Sequence, residues 1–301
     1  MIFMRRWFVI NKPELSIIIL NYNTNKLLQD CLNSLEKCKK EISFEVIVSD
    51  NASSDGSAEM VRQKFPGVTL LEGPNEGFSK GNNRARKFIQ GQMVLFLNPD
   101  TKVNKGTLSA TAAYLKAHKD VGALSCKLVL PSGEIDKDAR RRFPTPWIAF
   151  KRLFFGNGRQ YWYEDVKPNK IQEVDAIQGA FFLTRKKVLD KVGWFSEEYF
   201  FNGEDLDLCW KIKKQDLKII YYPNVFIYHL KGASTGKSKF WKPKIAPSHK
   251  LRVKMSAVEA MEIFYRKNLW PNYPLIVNWL VIAGIKTFKL FRWFKFKFFS
   301  R

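Results

Sequence analysis

Acids and amides stand at the ends of apolar runs in this sequence, where many nucleotide-binding proteins carry glycine-rich loops. Asn21 and Asn23 follow the run 15–20, Asp50 and Asn51 follow 44–49, and Asn98-Pro99-Asp100 follows 93–97. Carboxylates and amides hydrogen-bond well to the edges of a base and a ribose. A carboxylate is also a ligand for Mg2+ or Mn2+, hard ions that bind through one or two carboxylates plus substrate phosphates. A Rossmann dehydrogenase would show GxGxxG after the first run and a P-loop enzyme GxxxxGK[ST]. Neither is present, and Asn21-Tyr22-Asn23 occupies the place of the Gly-rich loop of a sugar nucleotidyltransferase. The pattern predicts a nucleotide held by side chains, with a metal neutralising its pyrophosphate. Further along, Glu204-Asp205 opens a segment in which Leu206, Cys209, Trp210 and Ile212 are apolar. Acids there stabilise a helix N-terminus by about 0.3–1 kcal/mol, the role assigned to Asp207.

The elements that must position these groups follow from hydrophobic spacing. The run LSIIIL at 15–20 is continuous and β-branched, as in a strand buried on both faces of a parallel sheet. Leu27, Leu28, Cys31, Leu32 and Leu35 then recur at helical spacing. Three strand-then-helix units in the first hundred residues predict an α/β doubly wound sheet. Ligands of such sheets gather at the carboxyl ends of the strands. Helices are expected over 104–118 and 204–215, and strands at 121–125, 180–184, 218–222 and 225–228. Residues 137–170 read as a long irregular excursion. Its Arg140-Arg141-Arg142 cluster suits either an acceptor pyrophosphate or a solvated loop.

The 301 residues are 46% hydrophobic, which excludes a disordered chain, and 51 Lys+Arg against 28 Asp+Glu give a net charge of +23. That excess points to an anionic partner. No zinc finger, RNP or KH motif accompanies it, so no nucleic acid partner is expected. Residues 231–301 hold 16 basic and two acidic residues. Within them 268–285 is uncharged, and Lys286, Lys289, Arg292, Lys295, Lys297 and Arg301 follow among seven aromatics. Such mixtures suit an anionic membrane surface. A span needs about 20 mostly apolar residues. This stretch carries Pro271, Asn272, Pro274 and Asn278, so an interfacial or re-entrant segment is expected. The alternative is a helix packed on the domain with a solvated basic end. Phe294, Phe296 and Phe298 alternate as a strand would, which leaves the conformation of the tail open. Cys31, Cys38, Cys126 and Cys209 have no metal-ligand spacing and read as free thiols of a reducing compartment. The first ten residues lack a signal peptide's apolar run, so a cytoplasmic location is expected.

SIIILNYN at 16–23, VSDNASSDGS at 48–57, NEGFSKGNN at 75–83, LFLNPDT at 95–101, GEDLDLCWK at 203–211 and HLKGAS at 229–234 occur in this order. Together they resemble the inverting family 2 glycosyltransferases of GT-A fold, and more closely the rhamnosyltransferase-like branch that builds bacterial surface polysaccharides. The resemblance covers residues 14–240. It implies a GT-A glycosyltransferase domain there and leaves 241–301 as a basic, aromatic, partly helical membrane-associated segment.

The resemblance also implies roles. Asp50 would bond the nucleobase edge, supported by Asn23, Asn51 and Asp55. Asn75, Gly77, Asn82 and Asn83 would form the loop beside the nucleotide. In Asn98-Pro99-Asp100 an Asn replaces the first acid of the Asp-x-Asp of many relatives, which leaves Asp100 as the main carboxylate ligand of Mg2+ or Mn2+. His229 would complete the metal or pyrophosphate site. Asp205 would be the general base, with Glu204 orienting the acceptor or substituting for it. Gly179-Ala180 would border the acceptor. The implied partners are a nucleoside-diphosphate sugar, with dTDP-rhamnose the first expectation and a UDP-sugar the second, and a lipid-linked saccharide acceptor at the cytoplasmic face of the inner membrane. The rival reading is a catalytically silent glycan-binding protein on the same fold.

Overall fold

The computed structural model describes residues 12–232 and 247–299. The chain runs β1 (Leu15–Asn21), α1 (Asn25–Glu36), β2 (Phe44–Asp50), α2 (Ser57–Lys64), β3 (Thr69–Glu72), α3 (Phe78–Asn83), β4 (Met93–Leu97) and β5 (Thr101–Val103). It continues with α4 (Thr107–Ala117), β6 (Val121–Val129), α5 (Pro146–Phe154), β7 (Gln172–Val174), β8 (Phe181–Arg185), α6 (Lys186–Val192), α7 (Glu204–Lys213), β9 (Lys218–His229), α8 (Pro247–Phe264) and α9 (Leu275–Phe299). Among the described residues these strands form one sheet in the order β3-β2-β1-β4-β8-β6-β9-β5, with β7 off this path and antiparallel to β9.

The β-branched runs explain the centre of the sheet. Ile17, Ile18 and Ile19 of β1 and Val94 and Leu95 of β4 are fully buried between helical layers. Each such side chain contributes about 1.5–3 kcal/mol. β3, β2, β1 and β4 are parallel, whereas β8 runs antiparallel to both β4 and β6. The sheet is therefore mixed, as the resemblance implied.

Two pairings position the site. β5 lies antiparallel to β9 with Thr101 opposite His229, and Leu230 donates its amide to the Asp100 carbonyl. Asp100 and His229 thus meet although 129 positions separate them in the sequence. β8 places Phe181 opposite Leu97, and Asn98 donates its amide to the Ala180 carbonyl. This sets Gly179-Ala180 beside the carboxyl end of β4. The expected strands on either side of Pro223 are one strand, β9, with an irregularity near the proline. Proline lacks the amide that a regular ladder needs.

Several other expectations need correction. The excursion at 137–170 contains a nine-residue helix, α5, entered through Pro146 and capped by the Thr145 hydroxyl. Its three arginines have separate partners. Arg140 bonds Gln172 and the Val166 carbonyl, Arg141 bonds Asp205, and Arg142 forks onto Asp165. Asp207 does more than serve a helix dipole. Fully buried, it accepts from Ser196, Lys267 and the Asn268 amide, and so anchors the C-terminal segment to α7. The uncharged stretch 268–285 is not one element. It is broken at 270–274 and pinned by Asn278, whose side chain bonds Tyr265 and the carbonyls of Trp270 and Tyr273. The alternating tail is helical as part of α9. No helix among the described residues is long and apolar enough to cross a membrane. Met1–Ile10, Ala233-Ser234 and Arg301 lie outside the described residues.

Candidate active site

A continuous cavity of about 1610 Å3 opens at the carboxyl ends of β1 and β4. Of the residues named from sequence, Asn51, Asn75, Gly77, Asp100, Gly179, Ala180, Glu204, Asp205 and His229 line it. Asn98 and Pro99 line it too, whereas Asn23, Asp50, Asp55, Asn82 and Asn83 do not.

At one end His229 sits between two carboxylates. Its Nε2 lies 3.4 Å from Asp100 Oδ1 and its Nδ1 lies 3.1 Å from Asp136 Oδ2. Burial alone would pull the imidazole pKa down. Asp100 and Asp136 outweigh it and push the pKa up to about 9. Asp136 is itself held down to about 2, because His229 and Lys231 overcome its burial. Lys231 bridges Asp136 and Asp138 at 2.5 and 2.6 Å. Asp136 fixes the ring so that Nε2 faces Asp100, the outer-shell arrangement that orients a metal-binding histidine. An oxygen and a nitrogen that converge in this way suit Mg2+ or Mn2+ once the cation displaces the imidazole proton, with substrate phosphates completing the shell. No cluster of three or more His, Cys, Asp or Glu suited to a metal exists among the described residues. The pair therefore needs those phosphates.

At the other end α7 opens on Gly203, whose φ of +87° and contact with Tyr199 exclude a side chain. Its first two residues face the cavity. Asp205 Oδ2 accepts from Arg141 Nη2 at 2.7 Å and from the Gly179 amide at 3.2 Å, while Oδ1 accepts from the Leu206 amide. Burial works against the Arg141 charge, but the Asp205 carboxylate more than offsets it. The Asp205 carboxylate is thus fixed in place. Glu204 differs. Burial first, and then the Asp205 charge, push its carboxyl up to about 8. Glu204 Oε2 and the nearby cavity residue Gln178 Oε1 are buried without a hydrogen-bond partner in the structure. Orphaned buried polar atoms are uncommon, and these two border one cavity.

The nucleotide-side residues divide. Asp50 accepts from Asn21 Nδ2 at 2.8 Å and from the Ser53 amide at 2.7 Å, and it is 2% exposed. Asn23, at φ 53°, accepts from the Ser54 amide. Asp55 ties the amides of Asn25 and Ser57. These three shape the loops after β1 and β2 rather than lining the cavity. Asn82 and Asn83 are turned to the carbonyls of Phe78 and Phe195, so their side chains hold backbone. Asn51 does line the cavity, braced by the Gly77 carbonyl and by Arg84. Gly77 has φ +98°, and a Cβ there would meet the Phe200 carbonyl at 2.4 Å.

The sequence reading missed Asp136, Arg141 as the partner of Asp205, Gln178 and Lys231. Only the arginine run and, for Lys231, the HLKGAS motif offered a signal. Asp136 reaches the site because the turn at 130–134 folds back on β6, so that its amide meets the Leu128 carbonyl. Val253, Ala257, Ala260 and Phe264 of α8 also form part of the cavity wall.

Known proteins resemble this chain over most of its length. A family model described as glycosyltransferase like family 2 matches residues 13–244. The chain is 26% identical over 242 residues to the N-acetylglucosaminyl-diphospho-decaprenol L-rhamnosyltransferase of Mycobacterium tuberculosis, covering 74% of this chain and 78% of that one. It is 23% identical over 221 residues to rhamnosyltransferase WbbL of Escherichia coli, covering 71% and 82%. The fold matches the crystal structure of GalNAc-T7 with UDP, GalNAc and Mn2+, with a TM-score of 0.61 and 16% identity. That match covers 86% of this chain and about half, 49%, of the other.

Proposed function

The chain belongs to the glycosyltransferase-like family 2, and we propose that it transfers a sugar from a nucleoside diphosphate to a lipid-linked glycan with inversion at the anomeric carbon. The observation that carries this reading is the single cavity with the Asp100–His229 pair at one end and the Glu204–Asp205 pair at the other. The first pair suits a diphosphate with its cation. The second suits an acceptor hydroxyl.

Inversion requires one displacement, with the acceptor proton removed on the face opposite the leaving group. Asp205 is the general base of this proposal. Arg141 and the Gly179 amide hold it in place, and base catalysis of this kind contributes about 10²–10⁴-fold. Glu204, with its raised proton affinity, keeps a proton near neutral pH and donates a hydrogen bond to the acceptor. Asp100 and His229 would hold Mg2+ or Mn2+, and the bound ion would supply charge stabilisation to the departing diphosphate. Asn51, Asn75 and the Gly77 turn border the nucleoside. Asp50, through Asn21 and Ser53, holds the loops that shape this side.

The names of the relatives favour a rhamnosyl donor, and we assign dTDP-rhamnose first, with a UDP-sugar as the rival because the GalNAc-T7 fold holds UDP. The acceptor places the protein at the cytoplasmic face of the plasma membrane in surface-polysaccharide synthesis. A thermal-shift screen of nucleotide-sugars with Mn2+ or Mg2+ tests this. Stabilisation by dTDP-rhamnose above UDP-sugars, dependent on the cation, is expected. Stabilisation by no nucleotide-sugar would overturn the transferase reading and favour the glycan-binding one.

A further inference from the structure

We propose that the aromatic face of α5 is a membrane contact, docking on an anionic lipid surface beside the mouth of the cavity. A short helix ordinarily turns its apolar stripe to the core. In α5 only Ile148 is buried, while Trp147, Phe150 and Phe154 are 62%, 42% and 66% exposed and the adjoining Phe155 is 71% exposed. These four rings form one patch. Phe150 has its centroid 5.9 Å from Trp147, 5.0 Å from Phe154 and 5.5 Å from Phe155. Contiguous apolar patches of this kind mark interaction sites.

Charge selects the partner. Residues 146–155 hold Lys151 and Arg152 and no acid. Lys151 lies 5.3 Å from the Trp147 ring and Arg152 lies 4.2 Å from Tyr161. Tyr161 is itself buried, but exposed rings with Lys151 among them match the headgroup layer of an anionic leaflet, where rings enter the interface and cations meet phosphates. The surroundings continue the face. Trp279 and Leu280 of α9 are 60% and 68% exposed, and Lys286, Lys289 and Arg292 follow on the same helix. Phe150 and Phe154 of α5 and Leu280 and Phe288 of α9 line the same cavity that reaches Asp205, so both faces border one opening. A lipid-borne acceptor would enter there without leaving the bilayer. The purpose of the contact rests on the acceptor reading above, but its existence does not.

The test uses the full chain, without donor or acceptor. Its sedimentation is measured with vesicles of phosphatidylcholine plus phosphatidylglycerol, and with phosphatidylcholine alone. Trp147→Ser/Phe155→Ser is expected to raise the half-saturating concentration of anionic lipid about tenfold. Trp147→Phe/Phe155→Trp is expected to retain binding. Unchanged binding by the serine variant overturns the proposal, as does equal loss in both variants. A dimer that the serine variant dissociates, with vesicle binding intact, would assign the patch to a second copy instead. Because no transfer is measured, failure of the transferase reading leaves this outcome unaffected, and the reverse also holds.

Discussion

Arg141 Nη2 lies 2.7 Å from Asp205 Oδ2, and both side chains are less than a tenth exposed. A run of arginines 64 positions upstream thus holds the carboxylate that faces the cavity. Breaking one half of such a pair leaves a buried charge without its partner. Arg141→Met should lower stability by about 3–5 kcal/mol in urea unfolding. Adding Asp205→Asn to it should cost less than the sum of the two single changes.

Glu204 should make stability depend on pH in the direction opposite to an ordinary salt-bridged acid. Its carboxyl rises from 4.5 to about 8 on folding. The folded state therefore binds more protons between those values, and stability falls as pH rises through that window. Glu204→Gln carries no such burden. Its melting temperature should gain on the wild type from pH 5 to pH 9, by about 2–4 °C per kcal/mol relieved. Parallel curves for the two proteins would contradict the assignment.

Asp136 is tied to the Asp100 end of the cavity through His229. Asp136→Asn should weaken cation-dependent nucleotide binding about 10–100-fold, the usual effect of losing an orienting outer-shell carboxylate. Asp100→Ala should weaken it at least as much. Calorimetric titration with nucleotide, with and without Mn2+, reads both effects, and nucleotide affinity that ignores a chelator would refute the ligand role.

Gly77 combines a left-handed φ with close approach to the Phe200 carbonyl. Gly77→Ala should cost about 1–3 kcal/mol through strain alone. It should also loosen Asn51, whose amide bonds the Gly77 carbonyl. Reduced stability with undiminished nucleotide affinity would remove Gly77 from the nucleotide loop.

The parallel half of the sheet was legible because buried strands such as 15–20 write themselves as continuous apolar runs. Asp100, His229, Glu204 and Asp205 were legible as motifs, and the structure gathers them at one cavity. What escaped depends on long-range pairing. Nothing near Asp136 in the sequence indicates that a turn returns it to His229. The aromatics of 137–170 suggested disorder of pattern, yet Thr145-Pro146 carried the cap and first-turn proline of α5. Asn278 read only as an obstacle to a membrane span, and its role as a buried pin depends on Tyr265 and Tyr273. Asp55, Asn82 and Asn83 sit inside the right motifs, but their side chains close loops, a division that spacing does not reveal.

The central claim is that Asp205 takes the acceptor proton. Transfer from dTDP-rhamnose to a lipid-linked acceptor should be measured for the wild type and Asp205→Asn, alongside donor binding. Donor affinity should stay within about threefold while transfer falls by at least about 10²-fold. An Asp205→Asn enzyme that transfers at the wild-type rate would contradict it.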